Sequence, residues 1–420
     1  MEFEVSVESL AYGGSAVARH EGRVVFVPGA APGDRVRLKV VRDHGSWAEA
    51  EMVRLVEAGP SRVTPPCPIV HECGGCPWQH VAGEQQLAAK RQAVIDALTR
   101  IAGLHGVSVL PIVRSPRPFG YRNRLSLRFE NGRIGFYQAR TRSLVPVPDC
   151  LLAEDVVRDA LGPVEEFVAA LTTRVMRVEI ASRGLLPGVS VAVQSAGRLR
   201  PNDTAAAKAI IDSTASPIAG LVMQGRGWTR AWGDARRRFE VAPGIVVDFP
   251  GACFGQVNTE ANLDLVALVT NRCTETPPAH LVELYAGAGN FSFALAARSG
   301  RVLAVDEDEN AVAAARIAAR DAGLRNLRFA AARAERWLAE PHDGVDVLLV
   351  DPPRSGLGPA AGAAAALAAP RVVYVSCNPA TLARDLRTFA GSGYRVVDVV
   401  PVDLFPQTFH VETVCTLELT

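Results

Sequence analysis

Three observations predict a chain of three units that ends in a doubly wound α/β domain. From about residue 278, apolar strands alternate with alanine-rich helices. Residues 1–58 instead alternate apolar and polar in short runs broken by Gly and Pro turns. Between the two lie clustered cysteines and an arginine-rich β stretch reaching to about residue 250. The expected division is 1–58, a small β-barrel; 59–250, a central α+β unit; and 251–420, an α/β Rossmann-like domain.

The barrel rests on "FEVSVESL", "RVVFVPGA", "DRVRLKVVRD" and "WAEAEMVRLVE", separated by turns at Gly13-Gly14, Pro28-Gly29 and Pro32-Gly33. "GPSRVTPPCP" reads as a connection to the central unit. The α/β domain rests on "HLVELY", "RVLAVD", "NLRF", "VDVLLVD", "RVVYVS", "YRVVDVV" and "ETVCTLEL" as strands, with helices expected near 290–299, 308–323, 359–368 and 379–391. In such sheets ligands bind beyond the carboxyl ends of the strands.

Composition narrows the class. The chain has 420 residues, 48% hydrophobic and 21% charged, with net charge +1 and no run of 18 apolar residues, so no membrane span is expected. "MEFEVSVESLAYGG" lacks the pattern of a signal peptide, so a cytoplasmic protein is expected, and its eight cysteines read as metal-binding, catalytic or buried. Local charge is more telling than net charge. Arg114, Arg117, Arg122, Arg124, Arg128, Arg133, Arg140 and Arg142 face the single acid Glu130, with Phe119, Tyr121, Phe129, Phe136 and Tyr137 interleaved. Arginines meet phosphates and aromatics stack on unpaired bases, so this stretch reads as a nucleic-acid contact. Arg122 and Arg124, at alternate positions of a strand, are expected to point to one face and touch RNA.

"VELYAGAGNFSFALA" places Gly287 and Gly289 between the first strand and first helix of the α/β domain, and Asp306 ends the next strand 17 residues beyond Gly289. A carboxylate there can accept both ribose hydroxyls of a nucleoside cofactor. The run lacks the third glycine of the dinucleotide fingerprint, and Asp351 ends a third strand in "VDPPRSG". Together these favour S-adenosylmethionine over NAD. Cys377 then stands at the carboxyl edge of the buried strand "VVYV", followed by Asn378-Pro379. A thiolate added to C6 of uracil turns C5 into a nucleophile for an electrophilic methyl group, and a base must afterwards take the C5 proton. Cys377 suits the first role; Glu412, or His410 close by in "FPQTFHVETV", suits the second. Cys67, Cys73 and Cys76, spaced C-x5-C-x2-C around Gly74-Gly75, read as metal ligands with Cys150 as the fourth. Spacing alone leaves zinc and an iron–sulfur cluster both open. It does not match the C-x3-C-x2-C of radical S-adenosylmethionine enzymes. Burial is the default for Cys253, Cys273 and Cys415.

These residues resemble the RNA 5-methyluridine methyltransferases over nearly the whole chain. "SCNPATLARD" resembles that family's nucleophile motif, implying Cys377, and "FPQTFHVE" its proton-acceptor motif, implying Glu412. "FGQVN" implies Gln256 at the cofactor, "LYAGAGNFS" implies Tyr285 and Asn290, and "VDPPRSG" implies Asp351. The C-terminal domain is then a class I methyltransferase fold. The first 58 residues resemble a TRAM domain, an RNA-binding β-barrel of the OB-like kind. The family's cysteine motif implies a structural [4Fe-4S] cluster on Cys67, Cys73, Cys76 and Cys150. At "FAAARAERW" the sequence offers Ala332 and Arg333 where the family often has a polar adenine contact, so none is assigned. The resemblance implies methylation of uridine C5 in RNA, with 23S ribosomal RNA the first choice, the T-loop uridine of transfer RNA the nearest rival, and a monomer expected. A different class, a non-catalytic iron–sulfur RNA-binding protein, conflicts with an intact Cys377, Glu412 and Asp351.

Overall fold

A computed structural model describes residues 2–139, 141–242, 244–251, 255–342 and 344–420, so Arg140, Cys253 and the Phe of "FGQVN" lie outside the described residues. At the N-terminus, strands Glu2–Leu10, Ala16–His20, Arg23–Val27, Trp47–Glu57 and Arg35–Asp43 close in that spatial order into a barrel. Its alternation has the physical meaning expected of period two: Val5, Val7, Ala16, Ala18, Val25, Val27, Val36 and Leu38 fill the interior. Closure removes the sheet edges. Asp34 seals the lower turn, accepting from Arg62 and from the backbone of Ala31 and Gly59.

The central unit is a seven-stranded sheet in the order Trp228–Gly233, Ile218–Gly225, Val189–Ala196, Arg174–Ser182, Arg124–Glu130, Arg133–Tyr137, Leu144–Pro146. Leu125, Leu127, Val178, Ile180, Val191 and Val193 turn to one face and pack against helices Leu161–Ala169 and Pro201–Asp212. The opposite face carries Arg128, Arg177, Gln194 and Gln224, all exposed.

The C-terminal sheet runs Leu327–Ala331, Arg301–Asp306, His280–Leu284, Val347–Val350, Arg371–Ser376, Glu412–Leu419, Tyr394–Val402. Five neighbouring strands are parallel, as the strand–helix alternation predicts, and Glu412–Leu419 runs antiparallel between Arg371–Ser376 and Tyr394–Val402. The parallel strands are buried on both faces, which is why they read as unbroken apolar runs. Helix Pro379–Gly391 has the extent expected from sequence; helices Ser292–Ala296, Glu309–Asp321 and Ala360–Ala366 are shorter than expected. Helix Thr259–Cys273, capped by Asn258, precedes the first strand and is not among the expected elements. Its partly polar, weakly amphipathic sequence explains the omission.

Helix Gly83–Ala97 ties the units together. Its fully buried Lys90 donates to Asp403 Oδ1 at 2.5 Å and to the Phe405 carbonyl at 3.0 Å. Its Gln86 exchanges two hydrogen bonds with Gln407. Both residues hold the loop that leads into Glu412. Among the described residues, no helix is long and apolar enough to cross a membrane.

Candidate active site

The carboxyl end of the C-terminal sheet gathers the reactive side chains. Strand Arg371–Ser376 pairs antiparallel with Glu412–Leu419, and Ser376 faces Thr413. One residue after Ser376 and one before Thr413, Cys377 and Glu412 therefore come to the same position at the end of the ladder. The turn after Cys377 is rigid. Ser376 Oγ accepts from Asn378 N and donates to Asn378 O; Asn378 Oδ1 caps helix Pro379–Gly391 by accepting from Ala380 N at 3.1 Å. Asn378 Nδ2 and Thr381 Oγ1 both donate to the Arg354 carbonyl at 3.2 Å, which ties this turn to the loop after Asp351.

Electrostatics at this end are those of acids held out of water beside one cation. Burial pushes the Glu412 carboxyl well up, with the Asp351 charge adding to it and Arg354 opposing. Burial likewise raises Asp351. The Cys377 thiol is pushed up to about 11, first by burial, then by the charges of Glu412 and Asp351, against Arg354. His410 goes the other way, down to about 4, because burial and then Arg354, Lys90 and Arg122 disfavour a second cation. A neutral His410 of such low basicity is a poor proton acceptor, whereas a raised Glu412 is matched to the task. Arg354 is not among the residues expected from sequence; its place directly after "DPP" is the signal that could have found it.

Beside this cluster opens a cleft of about 110 Å³. Gln256, Tyr285, Asn290 and Asp351 line it, as the resemblance implies, together with Gly287. Gly287 has φ +55° and a Cβ there would meet nothing within 4 Å, so its backbone fronts open space. Gly289 has a different reason: a Cβ would fall 2.7 Å from Phe293. Asp306 does not line the cleft. It stands behind the loop, accepting from Gly287 N at 2.7 Å and Asp308 N at 2.8 Å. Asn290 is held by a reciprocal amide pair with Asn262 at 2.8 and 3.0 Å. Asn123, from the central unit, donates to the Gln256 carbonyl at 2.9 Å. Neither Asn262 nor Asn123 is among the expected site residues, and only tertiary contact reveals them.

Cys67, Cys73, Cys76 and Cys150 line one cavity of the central unit with Gln79, Arg122 and Leu125. All four are free thiols. Burial raises Cys73, Cys150 and, to about 12, Cys76. Among the described residues, however, no three His, Cys, Asp or Glu gather as a donor set for one metal ion. The sulfurs come from two separate segments and ring a space rather than meet at a point. Arg122 departs from its expected role. It lies outside the strand, which begins at Arg124 after a bend at Asn123; its side chain lines this cavity, its Nε is buried without a partner among the described residues, and Tyr121, Cys150 and Cys76 are its charged or polar neighbours. Arg124 is half-buried beside Glu179. Cys273 and Cys415 are buried in the C-terminal core, as expected by default.

Comparison with known proteins agrees with this geometry. Residues 243–420 match the model of the tRNA (Uracil-5-)-methyltransferase family and residues 1–53 match the TRAM domain. An uncharacterized RNA methyltransferase of Gloeobacter violaceus is 36% identical over 99% of this chain and 96% of its own length. The 23S rRNA (uracil(1939)-C(5))-methyltransferase RlmD of Shewanella amazonensis is 31% identical over 99% of this chain and 95% of its own. Among solved structures, the Pyrococcus abyssi tRNA (uracil-54, C5)-methyltransferase in complex with S-adenosyl-L-homocysteine superposes with a TM-score of 0.77 at 25% identity, covering 99% of this chain and 100% of that one. With a barrel of TRAM type, a class I methyltransferase domain and relatives over its full length, the chain belongs to the S-adenosylmethionine-dependent RNA uracil-C5 methyltransferase family.

Proposed function

We propose that the chain methylates C5 of a uridine in RNA through a covalent bond between Cys377 and uracil C6. The observation that carries this reading is the strand register that sets Glu412 across from Cys377, next to Asp351 and the cleft. S-adenosylmethionine, in the cleft, supplies an electrophilic methyl group. Gln256, Tyr285, Asn290 and Asp351 would hold it, and Asp306 would order the glycine loop around it through Gly287 N. Cys377 Sγ gives its proton to solvent and bonds to C6, and the C5–C6 π pair moves to C5, which would take the methyl group as the bond from that carbon to the donor's sulfonium sulfur breaks and its electron pair stays on sulfur. Glu412 takes the C5 proton, the C5–C6 double bond re-forms and the thiolate leaves. Ribosomal RNA is the favoured substrate because the RlmD relatives match the chain from barrel to C-terminus. The transfer-RNA reading is supported by the Pyrococcus abyssi structure.

RNA would also meet the open face of the central sheet. Arg128 and Arg177 are paired directly across two strands there. Like charges so placed repel, and a phosphate between them relieves this. Neither is spent on a carboxylate among the described residues: Arg128 lies over the Tyr137 ring and Arg177 donates to Ser126.

The cysteine cavity would hold a four-thiolate iron–sulfur cluster rather than zinc, a choice that rests on the family's cysteine motif, since four thiolates around one cavity suit either. Such a cluster would be structural.

Glu412→Gln tests the mechanism. Addition and transfer do not need the base, so the variant should stall as a denaturation-stable adduct carrying RNA and labelled methyl. Steady turnover should fall by about 10²–10⁴-fold. Normal turnover in Glu412→Gln with adduct in His410→Ala would make His410 the base. Mapping 5-methyluridine in ribosomal and transfer RNA from a deletion strain decides the substrate.

A further inference from the structure

The barrel reaches the reactive turn itself. Between its first two strands, Ala11 to Ser15 form a tight loop, closed by Ala11 N to Ser15 O at 2.8 Å and Gly14 N to Ala11 O at 3.2 Å. From this loop Tyr12 donates its hydroxyl to the carbonyl of Cys377 at 3.2 Å, across 365 residues of sequence. Its ring stands edge-on to Phe409, 5.5 Å between centroids, and Phe409 in turn lies 4.2 Å from His410.

The loop is seated, not loosely apposed. Trp78 Nε1 donates to the Gly14 carbonyl at 3.0 Å. A Cβ at Gly14 would come within 3.1 Å of Phe409 and 3.3 Å of Pro77, and φ there is +97°, so both space and backbone favour glycine. Trp78 is bound to the same loop as the base, through its N–H to the Gln407 carbonyl at 3.1 Å. Tyr12 nevertheless keeps 37% of its surface exposed, and its hydroxyl feels the charges of Cys377, Arg354 and Glu412. Its phenol is pushed up to about 12 by burial, so it remains a donor throughout the working pH range.

The turn that bears Cys377 is thus held from three sides. Helix Pro379–Gly391 holds it through Asn378, the loop after Asp351 holds it through the Arg354 carbonyl, and the barrel holds it through Tyr12. The first two belong to the methyltransferase domain. The third comes from a unit whose role in RNA affinity alone would not require any contact with the nucleophile.

We propose that Tyr12 is a positioning residue of the methyl-transfer site: it fixes the Cys377 turn, and its exposed ring walls the space that receives the target uracil. This rests on the reading of Cys377 as nucleophile. The barrel is then part of the catalytic centre as well as an RNA-binding module, and its seating and the alignment of the thiol are one event.

The test compares Tyr12→Phe, Tyr12→Ala and Cys377→Ala in full-length protein. Readouts are single-turnover methylation of substrate RNA, adduct formation with 5-fluorouridine RNA, RNA affinity, S-adenosylmethionine affinity and melting temperature. Tyr12→Phe keeps the ring and loses one neutral hydrogen bond, so methylation and adduct formation should slow together by about 5- to 10-fold. RNA and S-adenosylmethionine affinities and melting temperature should stay at wild-type values. Tyr12→Ala should slow both steps further. Wild-type rates in Tyr12→Phe, or a Tyr12→Ala defect confined to RNA affinity, overturn the proposal while Cys377→Ala is inactive. An active Cys377→Ala overturns the thiol mechanism and this inference with it.

Discussion

Cys377 stands on a turn between a buried strand and a capped helix, across the ladder from Glu412 and open to the cleft side of the sheet. Cys67, Cys73, Cys76 and Cys150 stand on loops of the central unit around one cavity whose nearest cation is Arg122. Burial raises the thiols in both places, so desolvation alone does not separate a nucleophile from a ligand. What separates them is the company. Cys377 faces two carboxylates that oppose a resting thiolate and one cation that favours it. The four cysteines face one another and a guanidinium, which suits a group that brings its own positive charge and keeps the thiolates permanently ionised. On the proposed reading, a single thiol with a base would act and be released, and four thiols around one cavity would hold a group.

The largest effect should come from removing each kind of thiol in turn. Cys377→Ala should reduce methylation to background and leave the colour of anaerobically purified protein intact, with iron and acid-labile sulfide at about four atoms each per chain. Cys67→Ser, Cys73→Ser, Cys76→Ser and Cys150→Ser should each bleach the protein while S-adenosylmethionine binding persists, because none of the four thiols lines the cleft. Stoichiometric zinc without sulfide in the unmutated protein breaks the contrast.

An intermediate effect should sort the arginines between the two regions. Arg128→Gln with Arg177→Gln should lower the slope of log affinity for RNA against log salt by about 0.7–0.9, the share of the one phosphate they bracket. Arg122→Gln should leave that slope alone and weaken retention of iron and sulfide, because its guanidinium lines the thiol cavity. A shallower slope in Arg122→Gln would return this residue to the RNA surface.

The smallest effect concerns titration. A thiol raised to about 11 is protonated at neutral pH, so alkylation of Cys377 in the free enzyme should climb with pH through that value. Glu412→Gln removes one opposing charge, so its alkylation profile should move to lower pH. Mass spectrometry of the Cys377 peptide across a pH series reads both; an unmoved profile would separate Glu412 from the thiol.

Much of the site is legible in the amino-acid sequence because its residues sit at the ends of strongly patterned elements. Buried parallel strands are apolar runs, and the residue after such a run, Cys377 or Asp351, is at the carboxyl edge wherever the strand lies in the sheet. Arg122 shows where that logic stops. Alternation assigned it a strand face, but the strand begins only at Arg124, and a long side chain before the strand entrance takes its direction from what packs around it.

From the amino-acid sequence come the β-rich start, the order of strands and helices in the last domain, the candidates for nucleophile and base, and the grouping of four cysteines. These are local properties: period two or 3.6 in the apolar pattern, a capping residue, a thiol at a strand end. Packing in three dimensions was needed to set Glu412 opposite Cys377, 35 positions away, and to let Asn123 steady Gln256. The same packing placed Arg122 among thiols and laid Tyr12 of the barrel on the turn of the nucleophile. Periodicity encodes which face of an element is buried; it carries no label for the partner, and partners hundreds of residues apart are chosen only when the faces pack.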